Sequence, residues 1–299
     1  MSKKILISLS IIGIVSAIVI GATTAFFSDT ETSSGNTFTA GSIDLKVDNH
    51  CYYNGDECAC TEDNGCTWQS GPNVGKECFC TWKEKDLTDG DLFFDFADLK
   101  PGDYGEDTIS LHVRDNDAWA CAAIRITKND DATNDDQDID CTEPELEDND
   151  TDCDANEPDN DLFDGDLAQK LYFVFWVDDG DNIYECGPGI DEILMYGYAS
   201  DIIEQGGTAV YTLADSDENN VGGQDGDPLE GCQTYYIGKM WCFGDLDWDP
   251  NRDSDLWTCN GALVDNKPQT DEVQGDIIFY AVQKRNNSDF QCSSWAPQN

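Results

Sequence analysis

Histidine is nearly absent from this 299-residue chain, which has two, and basic side chains are scarce, with 16 Lys plus Arg against 62 Asp plus Glu. Two imidazoles leave little room for a Ser-His-Asp triad or a zinc-protease helix, because both need imidazole at defined positions. Neither H-E-x-x-H nor G-x-S-x-G occurs. A formal charge of -46 excludes the basic footprint that nucleic-acid binding requires. Beyond one stretch near the N-terminus there is no long apolar run and no long amphipathic helical pattern. What the chain does have is 39% hydrophobic and 11% aromatic residues, enough to build a core. It also has 14 Cys, an even number that suits disulfides in an exported protein and would be a hazard as free thiols in a reducing cytosol.

Export is the expectation from the first residues. Lys3 and Lys4 precede residues 5–20, which carry no charge, and the small residues 21–25 follow. This is the layout of a secretory signal cleaved between Ala25 and Phe26. The alternative, a retained anchor, asks for ~20 apolar residues, more than the run supplies. Membrane contact is therefore expected only through the signal segment before cleavage, and the location is extracellular or cell-surface. The mature start reads Phe26-Phe27-Ser28-Asp29, followed at 36–45 by N-T-F-T-A-G-S-I-D-L. With the signal, these residues resemble the TasA/camelysin family, whose members carry a SipW-type signal, an aromatic F-(S/N)-D start and N-x-F-x-A-G-(S/T)-(I/L)-D-L in the first strand. A weaker echo is D-L-K-P-G-D at 98–103, similar to a turn of that family. The resemblance implies a jelly-roll subunit of fibres in a biofilm matrix or cell-surface filament. It also implies that residues 26–38, with Phe26, Phe27 and Phe38 and no partner strand of their own, act as a donor strand for a neighbouring copy. The partner is then the protein itself, together with matrix polysaccharide or other surface proteins.

Along the chain, Ile43, Leu45 and Val47 alternate with Asp44 and Lys46, the period of a half-buried strand. Further strands are expected at 92–96, 108–113, 120–127, 171–177, 209–213, 234–237 and 277–283, separated by Gly, Pro, Asn and Asp clusters. The pattern predicts an all-β protein, an antiparallel jelly-roll-like β-sandwich forming one domain over 26–299, with two insertions. The first, residues 50–85, holds Cys51, Cys58, Cys60, Cys66, Cys78 and Cys80 and few core formers, so a disulfide-stapled appendage is expected. A zinc cluster on the two C-x-C pairs, with His50, is the sharper alternative, although C-x-C is not the usual zinc spacing. The second, residues 128–166, has 18 acidic residues between 129 and 166 and no Lys or Arg there, so it should stay extended and solvated. Cys121, Cys141, Cys153, Cys186, Cys232, Cys242, Cys259 and Cys292 complete the disulfide candidates, their connectivity open.

The best candidate for metal chemistry is 174–192, where an apolar strand delivers Asp178, Asp179 and Asp181 into a Gly-containing turn, with Glu185 and Glu192 beyond. Such hard oxygens suit calcium, although the EF-hand order is not met. Asp245, Asp247, Asp249, Asn251, Asp253 and Asp255 form a second acidic ladder, best read as an exposed loop. No catalytic motif is found, so an enzyme is not expected; the camelysin side of the family nonetheless carries a metalloendopeptidase label, which keeps a secreted peptidase as the alternative. A third reading is a calcium-dependent adhesion or glycan-binding module using surface aromatics such as Trp248 and Trp257, with Trp176 a core residue.

Overall fold

Strands dominate because β-branched and aromatic residues alternate with polar ones between turn-forming Gly, Asn and Asp. The computed structural model describes residues 29–33, 36–40, 44–61, 65–88, 91–94, 96, 98–131, 148, 163–186, 192–249, 251 and 257–297. In chain order the strands are β1 (Asp29–Ser33), β2 (Asn36–Ala40), β3 (Leu45–Tyr53), β4 (Asp56–Thr61), β5 (Gly65–Trp68), β6 (Trp82–Lys85), β7 (Tyr104–Val113) and β8 (Ala118–Asp130). They continue with β9 (Leu171–Asp178), β10 (Ile193–Tyr198), the short helix α1 (Ala199–Glu204), β11 (Thr208–Ala214), β12 (Gln233–Phe243), β13 (Asp245–Asp247), β14 (Thr258–Asn260) and β15 (Glu272–Gln283). Among the described residues no helix is long and apolar enough to cross a membrane.

Two sheets enclose the core. The larger runs β10-β9-β12-β7-β3-β4-β5, with β6 also on β3, and the smaller runs β1-β2-β15-β8-β11. Ile109, Leu111, Ile237 and Trp241 of the larger sheet and Ala120, Leu213, Ile277 and Phe279 of the smaller belong to one buried cluster. The all-β sandwich expected from the sequence is therefore present.

Several boundaries differ from expectation. Residues 91–94 are not strand but a loop, because Phe93 is buried and Phe94 packs on the same core rather than alternating outward. Strand β12 continues six residues past the expected end at 237, through Gly238 and Lys239. Gly238 is needed there because a Cβ at that position would fall inside the Trp176 indole opposite it. Strands β4, β5, β6, β10, β13 and β14 were not anticipated. The largest correction concerns the N-terminus. Residues 36–40 pair in parallel with 277–281 of β15, and β1 pairs antiparallel with β2, so this segment has a partner strand within its own chain. The physical reason is the otherwise unpaired edge of β15, whose N–H and C=O groups need partners. Phe38 lies at the register position of Phe279; Phe26 and Phe27 are outside the described residues.

The outer face of the smaller sheet is covered by the C-terminal segment. Trp295 stacks on Tyr280 at 5.2 Å, Phe290 approaches the same ring at 5.7 Å, and the Trp119 indole donates to the Asn287 carbonyl at 2.6 Å. A disulfide between Cys121 and Cys292, 171 residues apart, fixes this cover to β8. Closing so long a loop restricts the unfolded chain strongly, so replacing both cysteines by serine should cost about 2–5 kcal/mol. Non-reducing thermal denaturation of the double variant reads this directly; an unchanged midpoint would mean that packing alone holds the segment.

Candidate functional site

At the end of β9 the chain reverses through Gly180 and Asn182, both with positive φ (109° and 63°). Asp178 organises that turn. Its Oδ2 accepts the backbone N–H of Gly180 at 2.8 Å and of Asn182 at 3.1 Å, and its Oδ1 accepts the Trp176 indole N–H at 3.0 Å. Burial raises its pKa, and these three hydrogen bonds oppose the rise. Asp179 and Asp181 are exposed, and each of the three carboxylates offers an oxygen within 4.8 Å of the others. Glu185 and Glu192 lie outside that group: Glu185 follows Tyr184, whose ring is buried against Trp176, and the Glu192 carbonyl accepts Val177 N–H at the start of β10. The oxygen-only donors suit a hard cation, and two of the three carboxylates face solvent, where calcium could keep water ligands. In the second ladder Asp245 and Asp247 alternate along β13, Asp245 accepts the Tyr198 hydroxyl at 3.1 Å, and Asp249 caps Asn251. Asp253 and Asp255 are outside the described residues.

Both histidines are engaged on the larger sheet. His112 Nε2 contacts Asp48 at 2.6 Å and its Nδ1 faces the Thr234 hydroxyl at 2.9 Å, while Ser110 donates to the other oxygen of Asp48. This network ties β3, β7 and β12 together. His50 Nε2 lies 3.1 Å from Glu57.

The Cys-rich insertion carries three disulfides, Cys51–Cys80, Cys58–Cys78 and Cys60–Cys66. They consume both C-x-C pairs, which removes the thiolates that the zinc alternative requires. Cys242–Cys259 joins β12 to β14. Cys232 is an exposed thiol outside these bridges, a correction to the expectation that every cysteine is paired; Cys186 belongs to none of the five, and Cys141 and Cys153 are outside the described residues. Bridges in this number are typical of extracellular and cell-surface proteins.

The aromatics also redistribute. Trp257 is buried, 5.6 Å from Trp176 and from Tyr184, so it belongs to a second apolar cluster on the outer face of the larger sheet and not to an exposed glycan platform. Trp248 is half-buried and donates to the Tyr172 hydroxyl at 3.0 Å.

Sequence reasoning missed a carboxyl pair at the base of the acidic insertion. Asn129 and Gly165 clasp its two ends, with Gly165 N–H donating to the Asn129 carbonyl at 2.9 Å and the Asn129 side chain bonding Gly165 and Ala168. Beside this clasp Asp271 accepts the N–H groups of Asp166 and Leu167 at 2.6 and 2.9 Å. Burial, and then the hydrogen bond and charge of Asp131, push the Asp271 carboxyl up to about 9. No local motif announces this pair, because its members are far apart in sequence.

The comparisons with known proteins are limited to one end of the chain. A family model described as camelysin metallo-endopeptidase matches residues 1–58. The chain is thus similar to that family over its N-terminal segment, through β3 and into β4, as the motifs at 26–45 imply. The Asp178 turn and the Asp131–Asp271 pair lie beyond the matched residues. No curated protein matches the chain.

Asp271 sets a pH expectation. Between its ordinary value of 3.8 and about 9 the folded state holds a proton that the unfolded chain has released, so stability falls as pH rises through that interval. Asp271→Asn keeps an acceptor for the two N–H groups and donates to Asp131 without titrating. Urea unfolding from about pH 6 to about pH 9 should show a steeper loss for the wild type than for the variant; parallel losses would exclude the shared proton.

Proposed function

We propose that the protein is an exported structural subunit that polymerises into extracellular fibres of a biofilm matrix or cell-surface filament. The observation behind this reading is the placement of β1 and β2. They form a hairpin laid along the edge of β15, within the residues similar to the camelysin family. An edge hairpin joined to the body through one short connection is suited to exchange: the hairpin of one copy takes the β15 edge of the next, and main-chain hydrogen bonds supply the affinity. Because donor and acceptor are different surfaces, the contact is heterologous and propagates into a filament. In-chain pairing is then the resting state of the monomer. The disulfides fit export, and the high negative charge favours neutralisation by a divalent cation as copies approach.

Electron microscopy of the mature protein tests the reading. Fibres are expected from the intact chain, whereas deletion of residues 26–40, which removes β1 and β2, should leave a folded monomer without fibres. Unchanged fibres from the deletion variant would overturn the exchange mechanism. The camelysin description itself favours a second reading, a secreted metalloendopeptidase; absent fibres together with chelator-sensitive proteolysis would support it instead.

Calcium is proposed to bind at Asp178, Asp179 and Asp181. Binding to the native state alone raises stability by about 2.7 kcal/mol at a hundredfold excess over Kd. A calcium-dependent rise in Tm should therefore be larger in the wild type than in Asp181→Ala, and equal rises would leave only diffuse screening.

A further inference from the structure

Two fully buried groups of opposite charge lie away from the sites above. Lys239 of β12 and Asp107 of β7 occupy directly opposed positions of an antiparallel pair, and both side chains are 0% exposed. Their row across the inner face of the larger sheet runs Cys51, Asp107, Lys239, Phe175. The row on one side is Ile109 and Ile237; on the other the Trp241 indole lies over Gly105. The Phe94 ring centroid is 3.5 Å from Lys239 Nζ, and the Phe93 carbonyl accepts from that nitrogen at 3.2 Å. The amine contacts Asp107 Oδ2. Among the described residues neither Asp107 oxygen accepts a conventional hydrogen bond, so Lys239 is all that compensates this carboxylate.

We propose that Lys239 Nζ and Asp107 Cγ become joined in an intramolecular amide, a covalent crosslink between the two central strands of the larger sheet. As ions, the two groups each carry a desolvation penalty of several kcal/mol, and an isolated pair with unfilled lone pairs recovers it poorly. Burial pushes the Asp107 carboxyl up and the Lys239 amine down, each opposed by the partner's charge, which eases transfer of the ammonium proton to the carboxylate. That transfer leaves a neutral amine beside a neutral acid, the form in which condensation proceeds. The Nζ–Cγ bond forms and one C–O bond breaks. The departing hydroxyl leaves with one nitrogen proton as water; no electrons are gained or lost and no co-reactant is needed. Fixing the reactants on paired strands supplies an effective concentration on the order of 10⁵–10⁸ M for well-aligned groups. The product suits its surroundings better than the ions do, since a neutral amide keeps one N–H, directed at the Phe93 carbonyl, in place of a buried charge pair.

This crosslink does not depend on the fibre reading. Its test is mass spectrometry of the mature protein after reduction, alkylation and digestion. The expected result is a branched peptide containing both Asp107 and Lys239, lighter by one water than its two parts, which survives denaturation and reduction. Recovery of the two segments as separate linear peptides of unaltered mass would overturn the proposal and leave a buried ion pair. Lys239→Arg keeps the charge but supplies no acylable amine, and its intact mass should regain the missing water. A deficit that persists in Lys239→Arg would assign the loss elsewhere and equally reject the crosslink. If that variant does not fold, the wild-type digest alone decides.

Discussion

The pairing of Lys239 with Asp107 is the constraint around which the larger sheet is organised. An unpaired charge at either position would be severely destabilising, because breaking a buried pair leaves the remaining ion without compensation. Both strands must therefore hold a single register, since a one-residue slip would turn each side chain to the opposite face. The surrounding features serve that requirement. The 91–94 loop abandons strand geometry and brings the Phe93 carbonyl and the Phe94 ring to the amine. Trp241 covers the glycine two residues from Asp107, and the Cys51–Cys80 disulfide closes the next position in the row.

A second constraint is electrostatic. At a net charge of -46 the chain repels itself, and the repulsion is most concentrated in the acidic insertion. The fold answers with covalent and local devices at the places where long segments leave the sheets. Three bridges close the Cys-rich insertion onto β3, β4 and β5, one fixes the C-terminal cover, and Asn129 with Asp271 clasps the acidic insertion. Asp178 and Asp215 show the same economy on a smaller scale. Each gives one oxygen to two backbone N–H groups of a tight turn; the other oxygen accepts the Trp176 indole in Asp178 and the N–H of Cys292 in Asp215. Much of the acidic content near the sheets is thus engaged in fixing loops, which is why counting carboxylates identifies turns more readily than metal sites.

Local pattern made the long strands of the two sheets legible. Alternation around Leu45 and Val47, and the apolar runs of β8, β9, β11 and β15, gave strand type and approximate place. Legibility failed where a side chain acts against its ordinary preference. Gly238 and Lys239 break the apolar run and cut β12 short, yet the glycine makes room for Trp176 and the lysine meets Asp107. The aromatics at 92–96 look like a strand, although they are there to close the core. The Asp178 turn was readable because its carboxylates are contiguous, whereas the exclusion of Glu185 and Glu192 depends on how β10 returns beside β9. Disulfide connectivity and the Asp131–Asp271 pair are non-local, and no local period encodes them.

The most non-local feature is also the one on which the proposed assembly rests. β2 pairs in parallel with β15, so an N-terminal strand and the last strand of the chain are neighbours in the smaller sheet. A parallel neighbour can come from any copy, because the pairing asks only for an extended segment in the right direction and register. The other edge of the smaller sheet is β11, and the outer face beside β15 is occupied by Phe290, Cys292 and Trp295. The β2 edge and the C-terminal cover thus occupy different parts of the smaller sheet. The five disulfides and the Lys239–Asp107 pair lie outside the β1–β2 hairpin, so the element proposed to exchange and these fastenings are physically separate.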